Sequence, residues 1–504
     1  MSTKKRNQKE QDRRILGIYN PKDGPTAVGE LRLEGSNTLL KVHADFPLDS
    51  FAQAANITGT SFTGKQITLI DCFSPGVGHT HFQGKPTKYH ADIFPHYVAI
   101  GHGHIEPNDR YVKAIHFTTN DLTHLFYDFD AFSNLIDAKA VIEEVLKERR
   151  KMRPVETGEH PQIAYFTGKT QIVETETTIG KVSVHHRPTH NLGGPAGVYI
   201  KNRMVVTIEP DEPIAFDDAI DRMYVVAAFL SVAAGRRQGI KHVQIATLDH
   251  DNGVPRTLQV HPSYRWKASN KIELFKPHPG DLPLDPIQHS VEFETVFCNW
   301  IARHKGWKVA RSRYIDCLQK SNEYDGGRLV AAANMFDILP VEATPAPSTL
   351  TGDLAKTRDE CRALFRKLPA GIDRNSALDA LGRLGKPSLP KKVAYRVSIV
   401  ESRLGAIFPD IQIPAAVAVK CRNYLVHGSA GDIDYSRVEP LLPFLTDTLE
   451  FVFAASDFIE SGWNTQRWAS SSYGWGHSFT RYRAEYSVAL AKLRGVLLDD
   501  TPSS

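Results

Sequence analysis

The fold of the second half of this chain is decided by one stretch, Pro414-Ala-Ala-Val-Ala-Val-Lys-Cys-Arg-Asn-Tyr-Leu-Val-His-Gly428. Val417, Cys421 and Leu425 recur every four residues, which predicts a helix with one apolar stripe facing a core. Proline suits the first turn of a helix, and a glycine such as Gly428 commonly ends one. We therefore predict a helix from Pro414 to His427.

Three polar side chains converge opposite the apolar stripe of this predicted helix. Asn423 and His427 lie one turn apart on the same side, and the long side chain of Arg422 reaches the same place. Metal-independent RNA cleavage needs a base, an acid and a cation that stabilises the phosphoryl oxygens, and His and Arg supply these groups. The alternative is a helix end with a hydrogen-bonded His and a surface Arg.

The spacing Arg-x4-His is by itself weak evidence for a catalytic site, because the chain contains it three times. Arg237 and His242 straddle a glycine beyond a helix end. Arg256 and His261 lie on a predicted strand, where residues five apart face opposite sides. The pair Arg422 and His427 is the one that closes a helix, so we predict Arg422, Asn423 and His427 as catalytic residues.

Working outward, the hydrophobic period is helical from about residue 286 onward and mostly that of strands before residue 261. Two helices are predicted within the β-rich part, Asp137 to Lys151 and Asp217 to Ala234. The C-terminal helices are predicted at Ser290–His304, Gly327–Ile338, Asp353–Leu368, Lys391–Leu404, Pro414–His427, Arg437–Ser461 and Phe479–Leu497.

Composition restricts the classes of protein. Hydrophobic content of 41% and charged content of 23% are ordinary for globular chains. The net charge of +4 permits a nucleic-acid partner without requiring one. Five scattered cysteines without a CxxC pair favour reduced thiols. No apolar run is long enough to span a bilayer. We expect a cytoplasmic protein with no membrane partner.

Two other motifs resemble known kinds of binding site. Residues 59–66 nearly spell a phosphate-binding P-loop, but Gln66 replaces the metal-binding hydroxyl and a strand follows, so a β-turn is predicted. Histidines cluster between His79 and His104 and could begin a metal site, which would make the protein a metal hydrolase. The ligand spacing is unconvincing, so we predict no metal and no cofactor.

Aromatic and basic residues alternate between Trp463 and Arg483, a mixture that suits stacking on unpaired bases and neutralising phosphate. We predict RNA contacts from Lys420, Arg467, Trp468 and Arg481. The alternative is that these aromatics are core or dimer contacts of the helical region.

The segment Cys421-Arg422-Asn423-Tyr424-Leu425-Val426-His427-Gly428 closely resembles the RNxxxH signature of HEPN domains. With residues 391–401 and a stop at Leu404-Gly405 before it, the region looks like the ApeA-type HEPN group. Residues 29–33, 57–59, 66–72 and 117–122 are similar to the β-rich ApeA N-terminal domain. Arg422 and His427 match the two signature residues, and Asn423 matches the polar residue after the arginine.

The predicted fold class is α+β, with a β-rich N-terminal domain followed by an all-α HEPN helical bundle. We expect residues 1–14 to form a basic disordered tail and 15–275 an ApeA-like sensor or regulatory domain. Residues 286–500 are expected to form the helical region, with the HEPN core at about 325–461.

The resemblance implies an abortive-infection effector, an endoribonuclease released when phage is sensed through the N-terminal domain. One chain offers one motif histidine while the reaction calls for an acid and a base, so a homodimer is expected. A phage protein is the expected trigger and RNA the substrate. The rival interpretation is an inactive HEPN module that only binds RNA or a protein.

Overall fold

The computed structural model describes residues 13–81, 83–191, 193–195, 197–251, 253–264, 276–428, 434–471 and 474–498. The described residues divide into two compact units. The first comprises 13–264 and 284–294, and the second comprises 276–283 and 295–498. Residues 1–12 of the predicted tail lie outside the description. Arg13 and Arg14 already pair with Leu33 and Arg32 in the first strand, so the predicted boundary at residue 14 was too late.

The first unit is dominated by strands. Those of its N-terminal part are β1 (Arg13–Pro21), β2 (Ala27–Leu33), β3 (Leu39–Ala44), β4 (Ile57–Ser61), β5 (Gln66–Phe73), β6 (Val77–Thr80), β7 (Lys88–Gly101) and β8 (Val112–Thr119). Those that follow are β9 (Phe132–Leu135), β10 (Ile163–Phe166), β11 (Gln171–Thr177), β12 (Gly180–His186), β13 (Thr189–His190), β14 (Ile200–Lys201), β15 (Met204–Glu209), β16 (Ile240–Asp251) and β17 (Val254–Pro262).

Six of these strands close into an antiparallel ring in the order β7-β3-β2-β1-β4-β5, because β5 also pairs with β7. Side chains alternate across each strand, so one set faces the interior of the ring. That interior is filled by apolar side chains, among them Tyr19, Leu31, Leu40, Ile67 and Val98. The residues resembling a P-loop form the β4–β5 hairpin, in which Gly64 adopts φ +83 and its N–H donates to Ser61 O, as predicted.

The sheet continues from β7 through β17, β16, β8, β15, β12 and β11. The first unit also contains short helices and two longer ones, namely α1 (Asp49–Gln53), α2 (Leu122–Leu125), α3 (Lys139–Met152) and α4 (Phe216–Ala234). Helix α4 is apolar nearly all round, packs on β8 and ends at Gly235, whose φ of +65 suits glycine. Both long helices were predicted, α3 from its amphipathic pattern and α4 from its long apolar run before Gly235.

The remaining helices are α5 (Ser290–Ala302), α6 (His304–Lys320), α7 (Gly326–Asp337), α8 (Gly352–Arg366), α9 (Ile372–Arg383), α10 (Leu389–Leu404), α11 (Gln412–His427), α12 (Tyr435–Val438), α13 (Leu442–Ser461), α14 (Thr465–Ser470) and α15 (Ser478–Leu498). The chain is therefore α+β, with a β-rich region followed by a helical region, as predicted.

Helix α13 is the centre of the second unit. Nearly every residue from Phe444 to Phe458 is buried, and α6, α7, α10, α11 and α15 pack around it. The helix also carries buried carboxylates that are paired with arginines. Arg311 donates to both oxygens of Asp457 at 2.8 and 2.9 Å, and Arg328 donates to both oxygens of Glu450 at 2.7 and 2.8 Å.

The prediction of the helical region missed α6, α9 and the short α14, and it placed the start of α13 too early. Helix α6 was not predicted, although Trp307, Ala310, Tyr314 and Leu318 follow a helical period and are buried. The predicted helix from 437 to 461 is divided. Pro440 and Pro443 interrupt it after its first turn, and the long helix α13 begins anew at Leu442.

Candidate active site

The motif residues lie at the C-terminal end of α11, within a bundle of α7, α10, α11 and α13. Val417 and Cys421 are buried, which fixes the rotation of α11 about its axis. The helix ends at Gly428, which adopts φ +66 and donates its N–H to Tyr424 O at 2.9 Å. This left-handed cap stops the helix directly after His427.

The structure brings the three predicted catalytic residues together. Nη1 of Arg422 donates to Oδ1 of Asn423 at 3.1 Å and lies 3.5 Å from Nε2 of His427. A guanidinium has only donors, so a hydrogen bond between these two atoms requires Nε2 of His427 to be the acceptor. His427 is exposed, whereas the Arg422 side chain is only 15% exposed. The Arg422 side chain is therefore largely enclosed, whereas the His427 side chain is accessible to a ligand.

Two residues of α7 hold the Arg422 side chain, and the sequence analysis missed both. Oδ1 of Asn334 accepts hydrogen bonds from Nη2 at 2.9 Å and from Nε at 3.3 Å. A carboxylate oxygen of Asp337 lies 3.7 Å from Nη2. Asn334 and Asp337 are three residues apart and so share a helix face. That spacing was the available signal, but nothing in it points to residue 422.

A second cation adjoins this group. Nζ of Lys392, on α10, lies 3.6 Å from the Asp337 carboxylate and donates to the Asp337 backbone O at 2.8 Å. Asp337 is thus shared between Lys392 and Arg422. Lys420, one of the predicted RNA contacts, is exposed on α11.

Apolar side chains flank the exposed histidine. Leu425 is 37% exposed and Val426 is 46% exposed. Leu425 covers Gly326, where an added Cβ would come within 3.2 Å of its side chain. Tyr424 stacks on Tyr435 with ring centroids 4.8 Å apart. The last turn of α11 therefore presents His427 beside apolar surface.

Among the predicted RNA contacts in the C-terminal segment, Trp468 is buried. Trp468 is 1% exposed and packs against Phe408, Phe451, Trp463 and Phe479. A ring so buried has no face for a base, so the interpretation of Trp468 as a stacking side chain was wrong and the core alternative holds.

The two arginines of that segment that were predicted to contact RNA form hydrogen bonds with backbone oxygens. Arg467 donates to Pro283 O at 2.7 Å, and Arg481 donates to Trp475 O at 3.0 Å. Burial lowers the pKa of Arg481. Their contact with RNA stays a prediction.

The N-terminal histidines do not form a ligand set in the region that the structure covers. No group of three or more His, Cys, Asp or Glu side chains is arranged to hold a metal ion there. His104 contacts the backbone O of Ile67 through Nδ1 at 3.1 Å, and burial lowers its pKa. Within the same described residues, no helix combines the length and apolarity needed to cross a membrane.

The chain thus combines a β-rich region with a following helical bundle that has an Arg-x4-His motif at a helix end. Comparison with protein families identifies both parts. Residues 14–300 match the ApeA N-terminal domain 1, and residues 330–467 match the Apea-like HEPN domain. The chain belongs to the ApeA-type family of abortive-infection HEPN proteins. Searches of curated proteins and of solved structures found no significant match.

Proposed function

We propose that this protein is a metal-independent endoribonuclease that uses Arg422, Asn423 and His427 and acts in antiphage defence. The observation that carries the proposal is the meeting of the three side chains at the open end of α11, with Nη1 of Arg422 3.5 Å from Nε2 of His427. The family match supports it, because HEPN domains are typically nuclease-like.

The chemistry follows from the groups present. The neutral imidazole of His427 takes the proton of the ribose 2′-OH, and the oxygen then attacks the adjacent phosphorus. Arg422 stabilises the charge that develops on the phosphoryl oxygens, and Asn423 orients the guanidinium through its Oδ1. The 5′-oxygen leaves with a proton from an acid. The products are a 2′,3′-cyclic phosphate and a 5′-hydroxyl.

The acid comes from a second copy of the chain in this proposal. A two-fold axis near the end of α11 would bring two His427 side chains to one RNA strand. The exposed Leu425 and Val426 support a self-association surface beside the site. His477 is unsuited to the role of acid within one chain, because it is buried and its Nδ1 accepts the N–H of Phe479 at 3.0 Å.

The N-terminal unit acts as the sensor in this proposal. Its match to the ApeA N-terminal domain supports a role in abortive infection. A phage protein is the proposed trigger, and RNA cleavage then arrests growth of the infected cell.

The test is RNA cleavage by the purified full chain in EDTA, with analysis of the product ends. His427→Ala and Arg422→Ala should each lower the cleavage rate by roughly 10²- to 10⁴-fold. Arg422→Lys should recover only part of the rate, because lysine keeps the charge but lacks the forked donors of the guanidinium. His160→Ala, at a histidine whose side chain is 83% exposed, is the matched control and should cleave normally. RNA binding without cleavage by the wild type would favour the rival binding module. Products with 5′-phosphate ends would refute the mechanism.

A further inference from the structure

The first unit contains a cavity of about 120 Å³ whose lining is mostly polar. Two of the residues that line it, Phe117 and Val205, are apolar, and the other six carry hydrogen-bonding side chains: His116, Thr118, Arg187, Arg203, His242 and Gln244. A cavity of this size holds several water molecules, and hence a group as large as a phosphate.

The strand register brings these residues to one face of the sheet. On β8, His116 lies opposite Thr207 of β15 on one side and opposite Gln244 of β16 on the other. Arg187 follows the last residue of β12, and Arg203 precedes the first residue of β15. The backbone N–H of Arg187 donates to the backbone O of Arg203 at 2.7 Å, so the two arginines lie side by side at the edge of the cavity.

A β-bulge aims the fourth basic residue at the same place. The pairing of β16 with β8 shifts between Lys241 and Gln244, and His242 within the shift has φ +52. A non-glycine residue in this region of backbone space is strained. Bulges of this kind re-aim side chains and recur beside functional sites. Here the strain places His242 on the cavity wall with His116.

The charges around the cavity are unbalanced. Arg187 and Arg203 are exposed, and among the described residues neither has a carboxylate within salt-bridge distance. The acidic residues Glu174 and Glu209 on this sheet face pair with Lys181 at 3.7 and 3.1 Å, although the charge of Glu209 also acts on His116. The two guanidiniums are therefore available to an anion.

His116 adds a neutral donor. Burial, followed by the charge of Arg187, lowers its pKa to about 4, so the ring is uncharged at neutral pH. Its Nδ1 lies 2.8 Å from the hydroxyl of Thr207. When Nδ1 accepts from that hydroxyl, Nε2 carries the proton and is a hydrogen-bond donor.

We propose that this cavity binds the phosphoryl group of a small ligand, either inorganic phosphate or the phosphate chain of a nucleotide. Two guanidinium forks with imidazole, amide and hydroxyl groups supply more donors than the two oxygens of a carboxylate can use, whereas a phosphoryl group has three or four oxygens to accept them. The site lies entirely within the first unit. It goes beyond the proposed nuclease function and is independent of it.

The experiment is calorimetric titration of the purified full chain with sodium phosphate and, separately, with ATP. Saturable binding is expected for at least one probe. Binding of phosphate alone, or of both, identifies the phosphoryl group as sufficient, and binding of ATP alone identifies a nucleotide as the source. Arg187→Ala and Arg203→Ala should each weaken the affinity by roughly tenfold, with partial recovery in the Lys variants.

Arg110→Ala is the matched control, since Arg110 is exposed in the same unit and does not line the cavity. It should bind as tightly as the wild type. Arg187 and Arg203 are exposed, so their truncation leaves the core intact, and unchanged circular dichroism verifies this for each variant. No saturable binding of either probe at millimolar concentration would overturn the proposal. Equal weakening in Arg110→Ala would do the same.

Discussion

Oδ1 of Asn334 accepts two hydrogen bonds from the guanidinium of Arg422, at 2.9 and 3.3 Å, across the interface between α7 and α11. This contact fixes the plane of the guanidinium while leaving His427 exposed beside it. Asn334 is therefore a positioning residue for the proposed site, since it acts through Arg422 and not on the substrate.

Asn334→Ala should lower kcat for RNA cleavage by roughly 10- to 100-fold with a smaller effect on KM, because Arg422 loses two charge-assisted hydrogen bonds that orient it. Asn334→Asp keeps an acceptor at the same place and should recover part of the rate. The control is Asn322→Ala, at an exposed asparagine before α7. Steady-state kinetics separate the outcomes, and an unchanged kcat in Asn334→Ala would argue against the positioning role.

Activity should depend on pairs of chains. When wild-type protein is mixed with an equal amount of His427→Ala chains and allowed to exchange, random pairing leaves about a quarter of the dimers with two intact motifs. Cleavage should therefore fall more steeply than the wild-type fraction. Dilution with His160→Ala chains, which keep the motif, should leave activity unchanged. A strictly proportional loss, with a monomer in light scattering, would mean that each chain acts alone.

Asp447 on α13 should make the protein less stable at high pH. Burial, with a further contribution from Glu450, raises its pKa to about 7 from an ordinary value of 3.8. A carboxyl whose folded pKa is raised contributes stability that is full below pH 3.8 and is lost as pH rises through about 7. The Tyr324 hydroxyl hydrogen-bonds to this carboxyl at 2.9 Å, and Arg328 lies 4.0 Å away.

Asp447→Asn removes this titration and can still accept the Tyr324 hydrogen bond. Relative to wild type, the variant should gain on the order of 1–2 kcal/mol in unfolding free energy at pH 8 and little at pH 4, after allowance for the exposed part of the side chain. Denaturant unfolding at both pH values measures it. Asp379→Asn, at an exposed carboxylate on α9, is the control. An equal gain at both pH values would show that charge at Asp447 is not the cause.

Trp468 should matter for stability and not for RNA affinity. Trp468→Ala leaves a large void among Phe408, Phe451 and Phe479 and should cost about 3–5 kcal/mol in unfolding free energy. Trp475, which is 53% exposed in the same segment, is the comparison, and Trp475→Ala should leave stability nearly unchanged. Thermal unfolding and RNA binding should be measured on both. A Trp468→Ala protein of normal stability that no longer binds RNA would restore the stacking interpretation.

What the sequence determined by itself is mostly local. The convergence of Arg422, Asn423 and His427 depends on helical geometry over six residues, which the apolar spacing and Gly428 already indicate. The β4–β5 turn and helix α4 were predictable for the same reason. The signals for these elements lie within one turn or one helix of the residues concerned.

The tertiary structure decided everything that depends on distant residues. Asn334 and Arg422 are 88 residues apart and meet only because α7 packs against α11. The burial of Trp468 depends on four aromatic rings from several elements, and composition could not distinguish a core ring from a base-stacking one. The polar cavity likewise requires β8, β12, β15 and β16 to be neighbours in one sheet, an order that periodicity along the chain does not contain.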